Sequence, residues 1–164
     1  MAIFPVRLFG DPVLRERACE VPKIDGSIRK LMQDMVETMQ AAPGVGLAAN
    51  QVGVLRRVIV WQNDLERGAL ANPVIVERAG QVEDEEGCLS LPGLTYPVER
   101  AQWVRVEGLD ARDGVVSLEA SDLTARILQH EIDHIDGVLF IDRLSAELQR
   151  EARRVLREQT LKQA

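Results

Sequence analysis

From Ser27 to about Ala42 the apolar residues Ile28, Leu31, Met32, Met35, Val36 and Met39 recur three or four positions apart. That spacing lines one face of an α-helix, and Pro43-Gly44 ends it because a residue before proline disfavours the helical region. Asp11-Pro12 can cap a short helical turn nearer the N-terminus. Further on the period changes. Arg57 to Trp61, Val74 to Glu77, Trp103 to Leu109 and Val115 to Leu118 are β-branched or alternating runs bounded by Gly, Asn, Asp or Pro, and they read as strands. Asp113-Gly114 marks a hairpin turn between the last two. A second helix is predicted from Ser121 or Asp122 to about Ile135, closed by Gly137, and a third from after Ser145 to the C-terminus. Helix, several short strands and two helices without βαβ alternation make an α+β order, with mostly antiparallel strands around the second helix. No repeat, low-complexity tract or linker divides the chain, so residues 1–164 are expected to form a single domain.

Composition narrows the function classes. A chain of 164 residues is long enough for a core without disulfides. With 20 Lys plus Arg against 26 Asp plus Glu, its net charge of −6 argues against binding DNA by phosphate neutralisation. The longest strictly aliphatic or aromatic run, Val58 to Trp61, falls far short of the ~20 residues of a membrane span. Met1 to Arg7 has no basic n-region and no long apolar stretch, so no signal peptide is expected. Two cysteines, Cys19 and Cys88, cannot build a disulfide framework, which favours a reducing compartment and makes the cytoplasm the expected location.

Both histidines of the protein sit four residues apart, in His130-Glu131-Ile132-Asp133-His134 on the second predicted helix. At that spacing their side chains share one face, with Cβ atoms ~5–6 Å apart, close enough to grip one metal ion. The pattern is H-E-x-x-H, in which the Glu reaches a metal-bound water without being a ligand. Leu123 and Ile127 precede His130 at helical spacing, so the histidine stripe should face inward. Two ordinary histidines on an amphipathic helix would also fit the pentapeptide, but random surface use would scatter them along the chain.

A catalytic site of this kind has three protein ligands, and two imidazoles are too few. The longer metzincin pattern is matched through Gly137, but Phe140 stands where its third His belongs. Glu147 and Glu151 lie on a helix that reads as solvated. The best remaining donor is Cys88, in Glu86-Gly87-Cys88-Leu89-Ser90-Leu91-Pro92, where Gly and Pro imply an irregular backbone able to project a side chain. Cys19 lacks such punctuation and reads as a buried small apolar residue. In Pro43 to Gln51 two glycines let the backbone approach something closely, such as an extended peptide or a metal centre, and Gln51 can offer an amide donor to a developing oxyanion. A nucleotide-binding loop would need further glycines or a Gly-Lys pair that are missing here.

Taken in order, Gly44 to Gln51 (G-x-G-L-A-A-x-Q), Glu86 to Ser90 (E-G-C-L-S) and Gln129 to His134 (Q-H-E-x-D-H) resemble the motifs of the bacterial and organellar peptide deformylases. The resemblance covers nearly the whole chain. It implies a metal-dependent hydrolase that removes the formyl group from N-formylmethionyl nascent peptides and releases formate. It implies Cys88, His130 and His134 as metal ligands and Glu131 as general acid and base. Gln51 and the Leu89 backbone N–H become donors to the formyl oxygen. Val45, Gly46, Glu86, Gly87, Leu123, Arg126 and Ile127 would border the groove for the methionine side chain and peptide backbone. Val45, Asn50 and Ile135 depart from or fill variable slots of the pattern without removing a chemical group. The resemblance implies Fe(II) as the physiological metal; zinc, nickel and cobalt also suit a Cys/His₂ site.

Two rivals remain at this level: a zinc peptidase cleaving internal peptide bonds, and a non-enzymatic metal-binding or ribosome-associated protein that kept the fold. Phe140 and the Cys88 motif count against the first, and Glu131 against the second, because a structural site needs no base. The C-terminal helix carries Arg150, Arg153, Arg154, Arg157 and Lys162 against Glu147, Glu151 and Glu158. It is expected to pack through Leu148, Val155 and Leu156. The resemblance suggests that it contacts the ribosome, in which case truncation after Leu144 should weaken co-sedimentation and spare activity on small peptides.

Overall fold

Asp25 opens the first helix by accepting hydrogen bonds from the backbone N–H groups of Ser27 and Ile28 at 3.0 and 3.1 Å. In the computed structural model, which describes residues 2–163, that helix, α1, runs Gly26–Ala41. It buries Ile28, Met32, Met35 and Met39, the face that the spacing selects. Strands follow as β1 (Gly46–Ala48), β2 (Val58–Gln62), β3 (Arg67–Ala79), β4 (Val82–Cys88), β5 (Leu91–Arg100), β6 (Trp103–Leu109) and β7 (Val115–Ser121). Helix α2 spans Asp122–Ile135 and α3 spans Ala146–Gln163. Asp11 caps a 3₁₀ turn over Pro12–Arg15, as the Asp-Pro pair predicts.

The strands form an antiparallel sheet in the order β1-β2-β3-β6-β7 and a separate antiparallel pair, β4-β5. Val58 and Val60 of β2 pack into the cluster around α1, whereas Ile59 and Trp61 pack into the cluster around α2. Alternation across the sheet thus places the two helices on opposite faces, and explains why this strand reads as an unbroken apolar run. A third cluster joins Leu91, Leu94 and Val98 of β5 to Phe140, Ile141, Ala152 and Leu156. One face of α3, through Ala152 and Leu156 with Leu148 and Val155 beside them, is therefore part of the core. Truncation after Leu144 would strip that cluster, so it is a poor way to separate ribosome contact from activity.

Several expectations need correction. β3 extends over Arg67–Ala79, far beyond Val74 to Glu77, because bulges between Ala71 and Val74 and between Ile75 and Glu77 break its alternation. Asn72, at φ 51°, turns the strand there and ties its amide to both backbone groups of Val21 at 2.8 Å. β1, β4 and β5 are not predicted at all. β4 reads as an exposed acidic run, and Pro92, Gly93 and Pro97 disguise β5, which tolerates them because each belongs to a two-stranded sheet with edges. The β6–β7 turn spans residues 110–114; Asp110 accepts from the N–H groups of Arg112 and Gly114, and Asp113, not Gly114, takes positive φ. Cys19 is exposed, not buried: its backbone pairs with Leu55 and Arg57 while the neighbouring Ala18 takes the inward position.

Candidate metal centre

The i, i+4 spacing on α2 brings His130 Nε2 within 3.1 Å of His134 Nε2. Cys88, the last residue of β4, places Sγ 3.2 Å from His134 Nε2. The three donor atoms all lie within 4.8 Å of one another. Bond lengths of about 2.0–2.3 Å in a tetrahedral site put donors ~3.3–3.6 Å apart, so this cluster suits one divalent cation. The surroundings fit too. Glu131 is buried, and its Oε1 has no hydrogen-bond partner among the described residues. A buried carboxyl oxygen left in that state beside three ligand atoms fits a water or cation within reach. Burial, followed by the negative charge of Glu86, raises the Glu131 carboxyl to about 7. A cation would pull it down again.

His130 is oriented from behind. Its Nδ1 meets Glu86 Oε1 at 2.6 Å, the arrangement that fixes the tautomer of a ligating imidazole and frees Nε2. Glu86 is itself gripped by Arg100, with Nε to Oε2 at 2.9 Å and Nη2 to Oε1 at 2.8 Å, and by Arg126 Nη1 to Oε2 at 2.7 Å. Burial opposes ionisation of Glu86, but the bonds from Arg100 and His130 win and hold it well below the usual carboxylate range. Arg126 borders the cleft, yet its guanidinium also donates inward to the carbonyls of Val98 and Val82. It serves the wall as well as the opening.

Across the cleft, Gly46 lies so close to α2 that a Cβ there would come within 2.9 Å of Glu131 Cδ and Ile127 Cγ2. The glycine in the motif is thus a matter of room for Glu131. Gly46→Ala should push the carboxyl aside and lower turnover at least tenfold, about the cost of a small displacement of reacting groups; unchanged turnover would show that the loop yields. Gln51 Oε1 accepts from the Ala48 N–H at 2.9 Å, so its amide nitrogen must face Ser90 Oγ, 3.1 Å away, and Cys88 Sγ, 3.6 Å away. Leu89 stands in the tight turn between β4 and β5.

These groups open on a cleft of 680 Å³. Val45, Gly46, Gln51, Glu86, Gly87, Cys88, Leu89, Leu123, Arg126, Ile127, His130 and Glu131 all line it, and fully buried His134 closes its back. Two details differ from expectation. Leu123 is 58% exposed at the mouth, not inward-facing, whereas Ile127 is buried. The segment at Cys88 belongs to a strand, and the expected irregularity is a register shift between Gly87 and Cys88 together with the turn that follows. Phe140, which stands at the metzincin pattern's third histidine in sequence, packs against the His130 ring at a centroid distance of 6.1 Å. Leu94 and Thr95 of β5 complete the wall, and Arg100, Asp133 and Arg143 support it; none of their roles was legible, because each depends on partners far away in sequence.

Residues 3–150 match the family model described as Polypeptide deformylase. A peptide deformylase of Acidothermus cellulolyticus is 52% identical over 158 residues, 96% of this chain and 88% of the relative. The crystal structure of peptide deformylase from Thermus thermophilus superposes with a TM-score of 0.92 at 44% identity, covering 98% of this chain and 96% of that one. The enzyme from Ehrlichia chaffeensis in complex with actinonin gives 0.90 at 37% identity, covering 97% and 98%. A cysteine and two histidines gathered at the foot of a cleft, in a chain so similar along nearly its whole length, place this protein in the polypeptide deformylase family, metal-dependent hydrolases that remove the N-formyl group from nascent peptides.

Proposed function

We propose that Cys88, His130 and His134 hold one divalent cation and that this chain, residues 1–164 acting as one catalytic domain, releases formate from N-formylmethionyl peptides. The observation that carries this reading is the donor cluster beside the unpartnered Glu131 Oε1. When bound, the cation supplies Lewis acidity, making water more acidic and polarising a carbonyl oxygen. Glu131 takes a proton from the attacking water and later delivers it to the leaving amine, and the free Oε1 leaves it an open acceptor for that proton. The Gln51 amide and the Leu89 N–H donate to the formyl oxygen as negative charge gathers on it. Val45, Gly46, Gly87, Leu123 and Ile127 shape the cleft for the methionine side chain, while Glu86 and Arg126 stiffen its polar wall.

The metal is assigned as Fe(II), with zinc, nickel and cobalt admissible at a Cys/His₂ site. A thiolate–Fe(II) centre oxidises readily, which favours a reducing cytoplasm. Among the described residues no helix is long and apolar enough to cross a membrane. The test is anaerobic purification with metal analysis, then formate release from formyl-Met-Ala-Ser. One metal per chain and formate production are expected; cleavage of internal peptide bonds exceeding formyl hydrolysis would overturn the reading in favour of a peptidase. Cys88→Ala should lose most of the metal and Cys19→Ala none of it, measured by elemental analysis.

For the ribosome, the support is the spacing of Arg150, Arg153, Arg154 and Arg157, which lie exposed along one face of α3. Reversing Arg150, Arg153 and Arg157 to Glu spares the buried Ala152 and Leu156. The triple variant should co-sediment less with ribosomes at low salt and keep its activity on the tripeptide. Equal sedimentation would remove the ribosome from the list of partners.

A further inference from the structure

A second cleft, of 410 Å³, shares no lining residue with the first and holds Arg100, Asp133 and Arg143. We propose that Arg143 is a positioning residue for His130, acting from this cleft through Asp133, Arg100 and Glu86. The inference rests on the metal reading above. Each link is a short charged contact. Arg143 reaches Asp133 twice, Nη2 to Oδ1 at 2.8 Å and Nε to Oδ2 at 3.1 Å. Asp133 Oδ2 receives Arg100 Nη1 at 2.6 Å, Arg100 forks onto Glu86, and Glu86 Oε1 holds His130 Nδ1 at 2.6 Å.

The side chains of Asp133, Arg100 and Glu86 are at most 12% exposed, whereas that of Arg143 is 50% exposed. An isolated surface pair would matter little. Here the carboxylate it serves is buried and shared. Asp133 divides its charge between two guanidiniums; without Arg143 it pulls on Arg100 alone. Arg100 is then drawn off Glu86, and the carboxylate that sets the His130 ring loosens. A ligating imidazole with a slack partner binds metal less tightly. Because Arg143 stands half in solvent at a cleft, removing its side chain leaves an opening that a small guanidinium ion can enter.

The test uses the whole chain loaded with Co(II), whose visible spectrum reports ligand geometry, and follows loss of the ion to a chelator. Arg143→Ala should release Co(II) about tenfold faster, the low end of the 10–100-fold typical for partners of metal ligands, with a shifted spectrum. Arg143→Lys, which keeps one donor and guards against misfolding of the alanine variant, should fall between. Millimolar methylguanidinium should slow release from Arg143→Ala, and methylammonium should do so less, because only the planar fork reproduces the paired contact. A lowered melting temperature with wild-type release and spectrum would mean a purely structural role and overturn the inference. Should the unmodified chain fail to take up one Co(II), the metal reading fails and this inference with it; normal loading with normal release from both variants overturns this inference alone.

Discussion

Glu131→Gln should lower formate release by about 10²–10⁴-fold, the usual contribution of a positioned acid–base group, while metal content stays at one per chain. The amide is isosteric, so it fits the space beside Gly46 and leaves the donor cluster intact. It can neither accept the water proton nor return it to the leaving amine. Loss confined to turnover, with bound metal and folded structure retained, separates proton transfer from ligand loss, which Cys88→Ala would cause. Formate release within threefold of the parent would show that another group moves the proton.

The same substitution has a second expected effect, on stability. In the metal-free protein, burial raises the Glu131 carboxyl from 4.5 to about 7. Between those values the unfolded chain ionises this group and the folded chain does not. The folded state then binds more protons, so stability falls as pH rises through that window. Glu131→Gln removes the fall and should gain on the order of 3 kcal/mol over the metal-free parent above pH 7. Chemical denaturation at pH 4.5 and 8 measures it; an equal gain at both values would refute the titration of Glu131 as its source. A group kept for chemistry at a cost to the fold is what an acid–base carboxyl in a buried site should look like.

What could be read in advance follows a physical line. α1, β2, β6, β7 and α2 bury regular stripes, so their periods show in the sequence. The β4–β5 pair does not, since Leu91, Leu94 and Val98 face the third cluster at irregular spacing across two prolines. For the site, the two histidines and Gln51 are placed by local helix and turn geometry, and Cys88 stands out by elimination and by motif. Leu123 misled because helical spacing predicts a shared stripe but not where the covering elements stop. Arg100 carried no local sign. Its partners, Glu86 and Asp133, lie 14 and 33 residues away, and only the assembled fold brings them to one guanidinium.

That guanidinium supports the second large prediction. Arg100→Leu should destabilise the protein by about 3–5 kcal/mol, the cost of leaving buried charge without its partner. Against a typical stability of ~5–15 kcal/mol this is a severe loss. The cause is specific: Glu86 would keep only Arg126 and His130, and Asp133 only Arg143. Removing one of the stranded charges should then help. Glu86→Gln combined with Arg100→Leu should be more stable than Arg100→Leu alone, although it removes a further ion-pair partner, because the two sites are coupled. The pH response should change as well. In the parent, Glu86 is held well below 4.5, so its contribution is complete above the ordinary carboxylate range and is lost as pH falls below it. Without Arg100 that acid sensitivity should flatten. Urea denaturation of the parent, both single variants and the double variant at pH 4 and 7 gives the whole cycle. If the double variant is no more stable than Arg100→Leu, the loss comes from packing of the arginine stem, and the charge chain behind His130 is not what holds this part of the fold together.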